Sequence, residues 1–521
     1  MVILKLPIGI QSFSEIRTSG YAYVDKTPYI ASLVHEGKYY FLSRPRRFGK
    51  SLFLDTLDCA LSGKKELFKG LFLDGPDSGW DFSVKWPVIR ISLGQRINRS
   101  SDELHEYLTR IISLEADRFG CSIDPHISPG FQLEDLIRAV NKKTGLQVVL
   151  LVDEYDKPIL DNLGSPSQSA IMRDELKSFY GMIKEMDKLL KFVFLTGVSK
   201  FAKTGIFSGL NNLNDITLDS RYSAICGYTH EDLMQVFADY SKNFQQSEIR
   251  EWYNGYSWTG QQVYNPFDIL LLFSKGIYRP YWFETGTPTF LIRLWKEKPR
   301  LPAEYDGLVA GEELLGSFDP ENIRTETLLF QAGYLTIRSF KSSAEEGTWY
   351  TLGFPNREVR ESFNRRILGV LQDDQAMVPL PGLRKVLESG DSEELYSVFH
   401  SFLSSIPHDN YRNSLISRFE GYYASVVYAY LASLGYEIIP EDTTNKGRID
   451  LSVKTRSYIW IFEFKVAGTY HPGNKDPLLQ VKERGYAEKY ASDPRPVIET
   501  GVVFNPKTRN IDRWDVVKPG S

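Results

Sequence analysis

The sequence predicts an α/β chain of two modules joined by a middle stretch: a helix-covered parallel sheet first, a smaller α/β module last. Three observations lead there. Short apolar runs alternate with amphipathic helical stretches through the first half, the pattern of strands linked by crossover helices. One run, Val148-Val149-Leu150-Leu151-Val152, is aliphatic throughout, as a central strand buried on both faces requires. Beyond Val378-Pro379-Leu380-Pro381-Gly382, which reads as a boundary, the order changes to helices, then strands around 436–466, then a helix from Pro477.

The bulk numbers agree with a folded, multi-domain chain. A length of 521 residues exceeds one ordinary core, and 42% hydrophobic with 25% charged residues is the balance of a globular protein. The 30 Tyr and 31 Phe exclude long disorder. No apolar stretch is long enough to span a bilayer, and the opening residues show no signal-peptide pattern. Cys59, Cys121 and Cys226 are far apart and form no metal-ligand pair. A cytoplasmic protein without a membrane partner is therefore expected. With a net charge of −4, the chain is no basic coat, so any nucleic-acid site must be a local patch.

The strands expected in the first half are Tyr39–Leu42, Pro87–Ile91, Val148–Val152 and Phe192–Leu195. A helical region begins near Thr229, where Thr229-His230-Glu231-Asp232 reads as a capping box. In the middle stretch a helix near Thr325–Ala332 precedes two strand-like runs separated by Ser342–Gly347, and another helix follows Pro355-Asn356. Helix, hairpin, helix suits a winged-helix-like module; a packing linker is the plainer reading.

The first strand runs into Ser43-Arg44-Pro45-Arg46-Arg47-Phe48-Gly49-Lys50-Ser51-Leu52, whose end has the Gly-Lys-Ser of a P-loop. Gly49 lets the backbone approach phosphates, Lys50 can reach the β- and γ-phosphates, and Ser51 offers a hydroxyl to Mg²⁺. Arg44 stands where the motif's first glycine belongs. The three loop arginines either add phosphate contacts or are solvated charge. After the aliphatic strand come Asp153 and Glu154, placed as a Walker B pair: one carboxylate for Mg²⁺, the next to polarise water. Thr196, then Ser199, are candidates to sense the γ-phosphate, and Arg221 is either a charge-stabilising arginine or, the plainer reading, an ordinary surface salt-bridge residue. The expected nucleotide-binding set is Arg46, Arg47, Phe48, Gly49, Lys50, Ser51, Leu52, Asp153 and Thr196, with Glu154 catalytic.

The second constellation is Gly447-Arg448-Ile449-Asp450-Leu451-Ser452-Val453, a turn with Arg456-Ser457, then Tyr458-Ile459-Trp460-Ile461-Phe462-Glu463-Phe464-Lys465. Alternation puts Glu463 and Lys465 on one strand face, and Asp450 converges on them if the strands pair as a hairpin. Two carboxylates suit a hard divalent cation, and a lysine can orient the attacking water. Glu420, on a helix expected over Phe419–Leu434, is a further candidate ligand. Gly447 and Arg448 fit a close approach to phosphate or merely a turn. This D…E-x-K pattern resembles the PD-(D/E)XK nuclease superfamily, whose members place a glutamine near the metal and an aromatic along the following helix; Gln480 and Tyr486 match those positions.

Nearly the whole chain resembles a prokaryotic family of predicted AAA-like ATPases with a C-terminal PD-(D/E)XK nuclease domain. The likeness rests on Arg44–Ser51, Asp153-Glu154-Tyr155-Asp156, Gly205–Leu213 with Asn211-Asn212, Trp252–Tyr256, Asn265-Pro266, Ile449-Asp450 and Phe462–Lys465. It implies that Arg44 is the family's own form of the loop, and that Asp25-Lys26-Thr27 belong to the nucleotide end. The fold class is then α/β: an AAA-like P-loop NTPase sheet with a helical lid (1–275), a middle helical or winged-helix-like region (276–380) and a PD-(D/E)XK nuclease-like domain (381–521).

The expected function is an ATP-regulated, Mg²⁺-dependent nuclease on DNA, with Mn²⁺ as a substitute at the nuclease site and homo-oligomerisation as an option. Defence or mobile-element biology is a guess from the resemblance. Metal ligands are expected at Ser51, Asp153, Glu420, Asp450 and Glu463; nuclease catalysis at Asp450, Glu463, Lys465 and Gln480. The rival readings are a nucleotide switch whose C-terminal domain binds without cutting, and an assembly scaffold.

Overall fold

In the computed structural model, which describes residues 4–201, 206, 210, 212–286, 302–316, 324–371, 380–405, 420–467 and 476–518, the first expected strand is β1 (Tyr39–Ser43). β2 (Val88–Ser92), β3 (Val148–Asp153), β4 (Leu190–Gly197) and the two-residue β5 (Asn214–Asp215) join it in a parallel sheet of order β2-β3-β4-β1-β5. β3 is buried along its whole length, as its aliphatic composition demands, and β4 is nearly so. Helices Ser101–Phe119, Pro129–Thr144 and Pro166–Glu185 supply the crossovers. β5 has no counterpart among the strands expected from the sequence, because two residues carry no periodic signal.

The chain divides into two compact units, 1–295 with 307–356, and 296–306 with 357–521. In the first unit, Thr229 and Asp232 form the expected capping box, opening the helix His230–Val236. Asn265 caps the helix Pro266–Lys275 by accepting from Phe267 N–H at 2.9 Å. The expected helix Thr325–Ala332 is present, and the following runs are β7 (Thr336–Ser343) and β8 (Gly347–Gly353). They pair with β6 (Leu308–Gly311) in an antiparallel sheet of order β6-β8-β7. Residues 307–356 of the middle stretch thus belong to the first unit, while the helix Arg357–Leu371 belongs to the second.

The second unit opens with helices including Ser392–Ser404 and Glu420–Ala432, then β9 (Glu437–Thr444), β10 (Gly447–Lys454), β11 (Ile459–Val466), β12 (Val497–Asn505) and β13 (Asn510–Val517). Their order is β13-β12-β11-β10-β9, antiparallel except for the parallel pair β11–β12. A parallel pair needs a crossover, and the helix Pro477–Arg484 lies within it. Trp460, Phe462 and Phe464 on one face of β11 pack with Phe399, Tyr423 and Val426; Ile459 and Ile461 on the other meet Val481, Tyr486 and Tyr490. Among the described residues no helix is long and apolar enough to cross a membrane.

Arg44 corrects the sequence reading. It is neither a phosphate contact nor a solvated charge, because it is fully buried beneath the loop. Its guanidinium donates to the carbonyls of Ser43 (2.8 Å), Thr217 (2.9 Å) and Tyr222 (3.1 Å), and lies 4.1 Å from the Trp258 ring centroid. Burial lowers its pKa to about 10, so it stays charged at neutral pH. The residue thereby ties the end of β1 to the segment that follows β5. Arg46 and Arg47, by contrast, are exposed. Arg44→Ala is expected to cost roughly 3 kcal/mol or more, because three carbonyls lose a charged donor and a cavity opens. Arg46→Ala should stay within about 0.5 kcal/mol. Urea denaturation of the two variants checks the contrast.

Candidate functional sites

In the first unit the chemistry gathers at the carboxyl ends of the parallel strands, where open α/β sheets place their ligands. Gly49 caps the helix Lys50–Leu61 in the left-handed region, φ 93°, a conformation that glycine adopts without steric cost. Lys50 is buried and donates to the loop's own carbonyls, Arg44 O at 2.9 Å and Pro45 O at 3.0 Å. Burial lowers its pKa, while Asp153 and Glu154 oppose the shift. Ser51 Oγ donates to Asp153 Oδ2 at 2.6 Å, and Thr196 Oγ1 donates to Asp153 Oδ1 at 2.7 Å. One carboxylate therefore joins the loop helix, β3 and β4.

Glu154 has a left-handed backbone, φ 53°, at a cost of ~1–3 kcal/mol for a residue with a side chain. The turn is clamped: Tyr155 N–H donates to Thr196 O at 3.1 Å, and Lys157 N–H to Glu154 O at 3.1 Å. Asp156, without an assigned role from the sequence, is buried and accepts from Val198 N–H (3.0 Å), Ser199 N–H (2.6 Å) and Ser199 Oγ (2.5 Å). Burial raises the Glu154 pKa, and Lys50 opposes it.

Lys50, Ser51 and Glu154 border an open cleft of about 570 Å³ lined also by Arg46, Arg47, Gly49, Leu52, Gly94, Pro7, Ile10, Tyr228 and Phe267 among others. A triphosphate with its magnesium fits this donor set: a lysine, two exposed arginines, a hydroxyl and adjacent carboxylates. Phe48 turns away, packing edge-on against Tyr256 (4.8 Å) and Trp258 (5.5 Å), so only its backbone belongs to the loop surface. The Trp252–Tyr256 motif thus supplies a wall for the loop. Trp282 Nε1 donates to Arg46 O at 3.1 Å, and the Arg47 guanidinium lies 5.0 Å from the Phe267 ring centroid. Ser199 is committed to Asp156, and Arg221 pairs with Asp219 and Glu36, the surface-pair reading. Asp25 accepts from Thr27 N–H at 2.9 Å and Lys26 pairs with Asp232, so both brace helix ends. Most of Gly205–Leu213, including Asn211, lies outside the described residues.

In the second unit β10 and β11 pair as an antiparallel hairpin with Leu451 opposite Phe462. The paired register ends there, with Asp450 and Glu463 each one residue beyond it. Glu463 is 1% exposed, and Gln480 Nε2 donates to its Oε1. Lys465 Nζ lies 3.3 Å from the same oxygen and donates to Phe464 O at 3.0 Å. Asp450 Oδ2 accepts from Phe464 N–H at 2.8 Å. A buried glutamate with a facing aspartate offers hard oxygen ligands, so a hydrated divalent cation fits the donor set. Among the described residues no group of three or more His, Cys, Asp or Glu forms a ready cage. Glu420 opens its helix, but its side chain lies outside the described residues.

One expectation near this hairpin is corrected. Tyr486 does not lie along the helix of Gln480, because Gly485 ends that helix in the left-handed region at φ 56°. Its hydroxyl instead donates to Arg448 O at 2.8 Å. A Cβ at Gly447 would lie 2.5 Å from Arg484 Nη1 and 3.1 Å from the Tyr486 hydroxyl, so the glycine admits those side chains. Arg448 pairs with Glu441 on the surface.

Comparison with known proteins follows the same division. Residues 7–207 match the family model described as a predicted AAA-ATPase. Residues 418–514 match that of the PD-(D/E)XK nuclease superfamily. A protein of Azotobacter chroococcum mcd 1, "Uncharacterized protein in vnfD 5'region", is 45% identical over 510 residues, 97% of this chain and 98% of that one. Among solved structures, the Aeropyrum pernix ORC1 protein in complex with DNA is 12% identical, over 65% of this chain and 90% of that chain, with a TM-score of 0.25, too low to carry an argument. This chain belongs to the family of AAA-ATPase-like proteins that carry a C-terminal PD-(D/E)XK nuclease superfamily domain.

Proposed function

We propose that the protein is an ATP-regulated, divalent-metal-dependent nuclease acting on DNA. The observation that carries the nuclease half is the convergence of Lys465 and Gln480 on one oxygen of the buried Glu463, with Asp450 of the paired strand bound to the neighbouring Phe464 N–H. Asp450 and Glu463 would hold Mg²⁺ or Mn²⁺. The ion would neutralise phosphate charge and acidify a bound water. Gln480 fixes the Glu463 carboxylate by hydrogen bonding, and Lys465 places a cation beside it to orient the attacking water.

In the first unit, Gly49, Lys50, Ser51 and the exposed Arg46 and Arg47 bind the ATP phosphates, and Ser51 with Asp153 would hold its Mg²⁺. Lys50 exchanges the carbonyls of Arg44 and Pro45 for phosphate oxygens when the nucleotide enters. Glu154 orients the attacking water. Thr196, buried and donating to Asp153, acts through that carboxylate rather than on the phosphate itself.

Two outcomes are expected with linear and circular DNA. Wild type cuts both in Mg²⁺, and Glu463→Ala lowers the rate by at least about 10²-fold, the scale of losing one preorganised catalytic group. Excess EDTA stops cutting, and Mn²⁺ restores it. In parallel, Lys50→Ala abolishes ATP turnover and the effect of ATP on cutting, read by phosphate release and gel assay. Cleavage that persists in Glu463→Ala would refute the assignment. ATP turnover without any cleavage would favour an ATPase whose C-terminal domain only binds.

A further inference from the structure

Gly94 follows β2 by two residues and lines the cleft beside Glu154. A Cβ at this position would meet three atoms first, all from the Glu154 carboxyl group. It would overlap Oε2, lie 2.9 Å from Cδ and 3.5 Å from Oε1. Backbone geometry does not ask for glycine, since Gly94 lies outside the left-handed region. What the missing side chain provides is space.

Glu154 is brought to that space by its own left-handed backbone, φ 53°, which Thr196 and Asp156 hold through the hydrogen bonds to Tyr155, Val198 and Ser199. Two features of unrelated origin, a strained turn after β3 and a glycine after β2, thus serve one carboxylate. We propose that Gly94 is a positioning residue: it forms the slot that holds the Glu154 carboxylate at the edge of the nucleotide cleft. This rests on the reading of the first unit as an ATPase with Glu154 as its water-orienting group. The obstructing atoms are the end of a flexible side chain, so alanine at position 94 is accommodated by swinging Glu154 out of place. The fold survives and the chemistry does not.

The test compares ATP turnover, Mg-ATP binding and melting temperature in wild type, Gly94→Ala, Glu154→Gln and the double variant. Gly94→Ala is expected to keep the wild-type KM, Kd for Mg-ATP and Tm while kcat falls about 10²-fold, the effect of an ångström-scale misplacement. In the Glu154→Gln background the same change should add no further loss. If Gly94→Ala lowers Tm, the loss must vanish in Gly94→Ala/Glu154→Ala, where the overlapping atoms are gone; a persistent loss overturns the slot. Unimpaired kcat in Gly94→Ala, or an equal loss in both backgrounds, overturns the slot while leaving the ATPase reading intact. Absence of turnover in wild type overturns both.

Discussion

The Asp153 carboxylate accepts from Ser51 on one oxygen and from Thr196 on the other, and the first unit is organised around that pair of bonds. Ser51 belongs to the helix that follows β1, Asp153 ends β3, and Thr196 lies near the end of β4, so three neighbouring strands are fixed at one point. Asp153 is 8% exposed. A carboxylate so placed must keep strong donors, because its desolvation is otherwise uncompensated. The same requirement reaches outward. With β3 and β4 locked at their carboxyl ends, Tyr155 N–H meets Thr196 O, and the following turn forces Glu154 into its left-handed backbone.

The second unit solves a similar problem with different parts. Glu463 is buried in the middle of a strand and is held by Gln480 from a crossover helix and by Lys465 two residues along. The parallel pairing of β11 with β12 requires a crossover connection, and the helix Pro477–Arg484 within it brings Gln480 to the strand face. On the opposite face Trp460, Phe462 and Phe464 anchor the same strand in the core. One eight-residue strand therefore carries both the packing and the chemistry, divided by its alternation.

Most of the architecture is legible in the sequence because the signals are local. β3 announces itself by an aliphatic run, the hairpin by alternation around Asp450, Glu463 and Lys465, and Thr229 by its capping box. What escapes depends on distant partners. Arg44 reads as a loop charge until Thr217 and Tyr222 supply carbonyls for it, more than 170 residues away. Gly94 has no meaning until Glu154 fills the space beside it. Tyr486 reads as part of the Gln480 helix unless Gly485 is taken as a left-handed helix stop, the usual role of a glycine there. β12 shows itself only in the short apolar run Val502-Val503-Phe504, and β13 takes its meaning from antiparallel pairing with it.

The proposed function requires two separate metal-using sites on one chain, and counting bound Mn²⁺ by electron paramagnetic resonance tests it most directly. Without nucleotide, one tightly bound ion is expected, lost in Asp450→Asn; with a non-hydrolysable ATP analogue, a second ion is expected, lost in Asp153→Asn but retained in Asp450→Asn. An ion count unchanged by the analogue, or a nucleotide-free ion that survives Asp450→Asn, would contradict it.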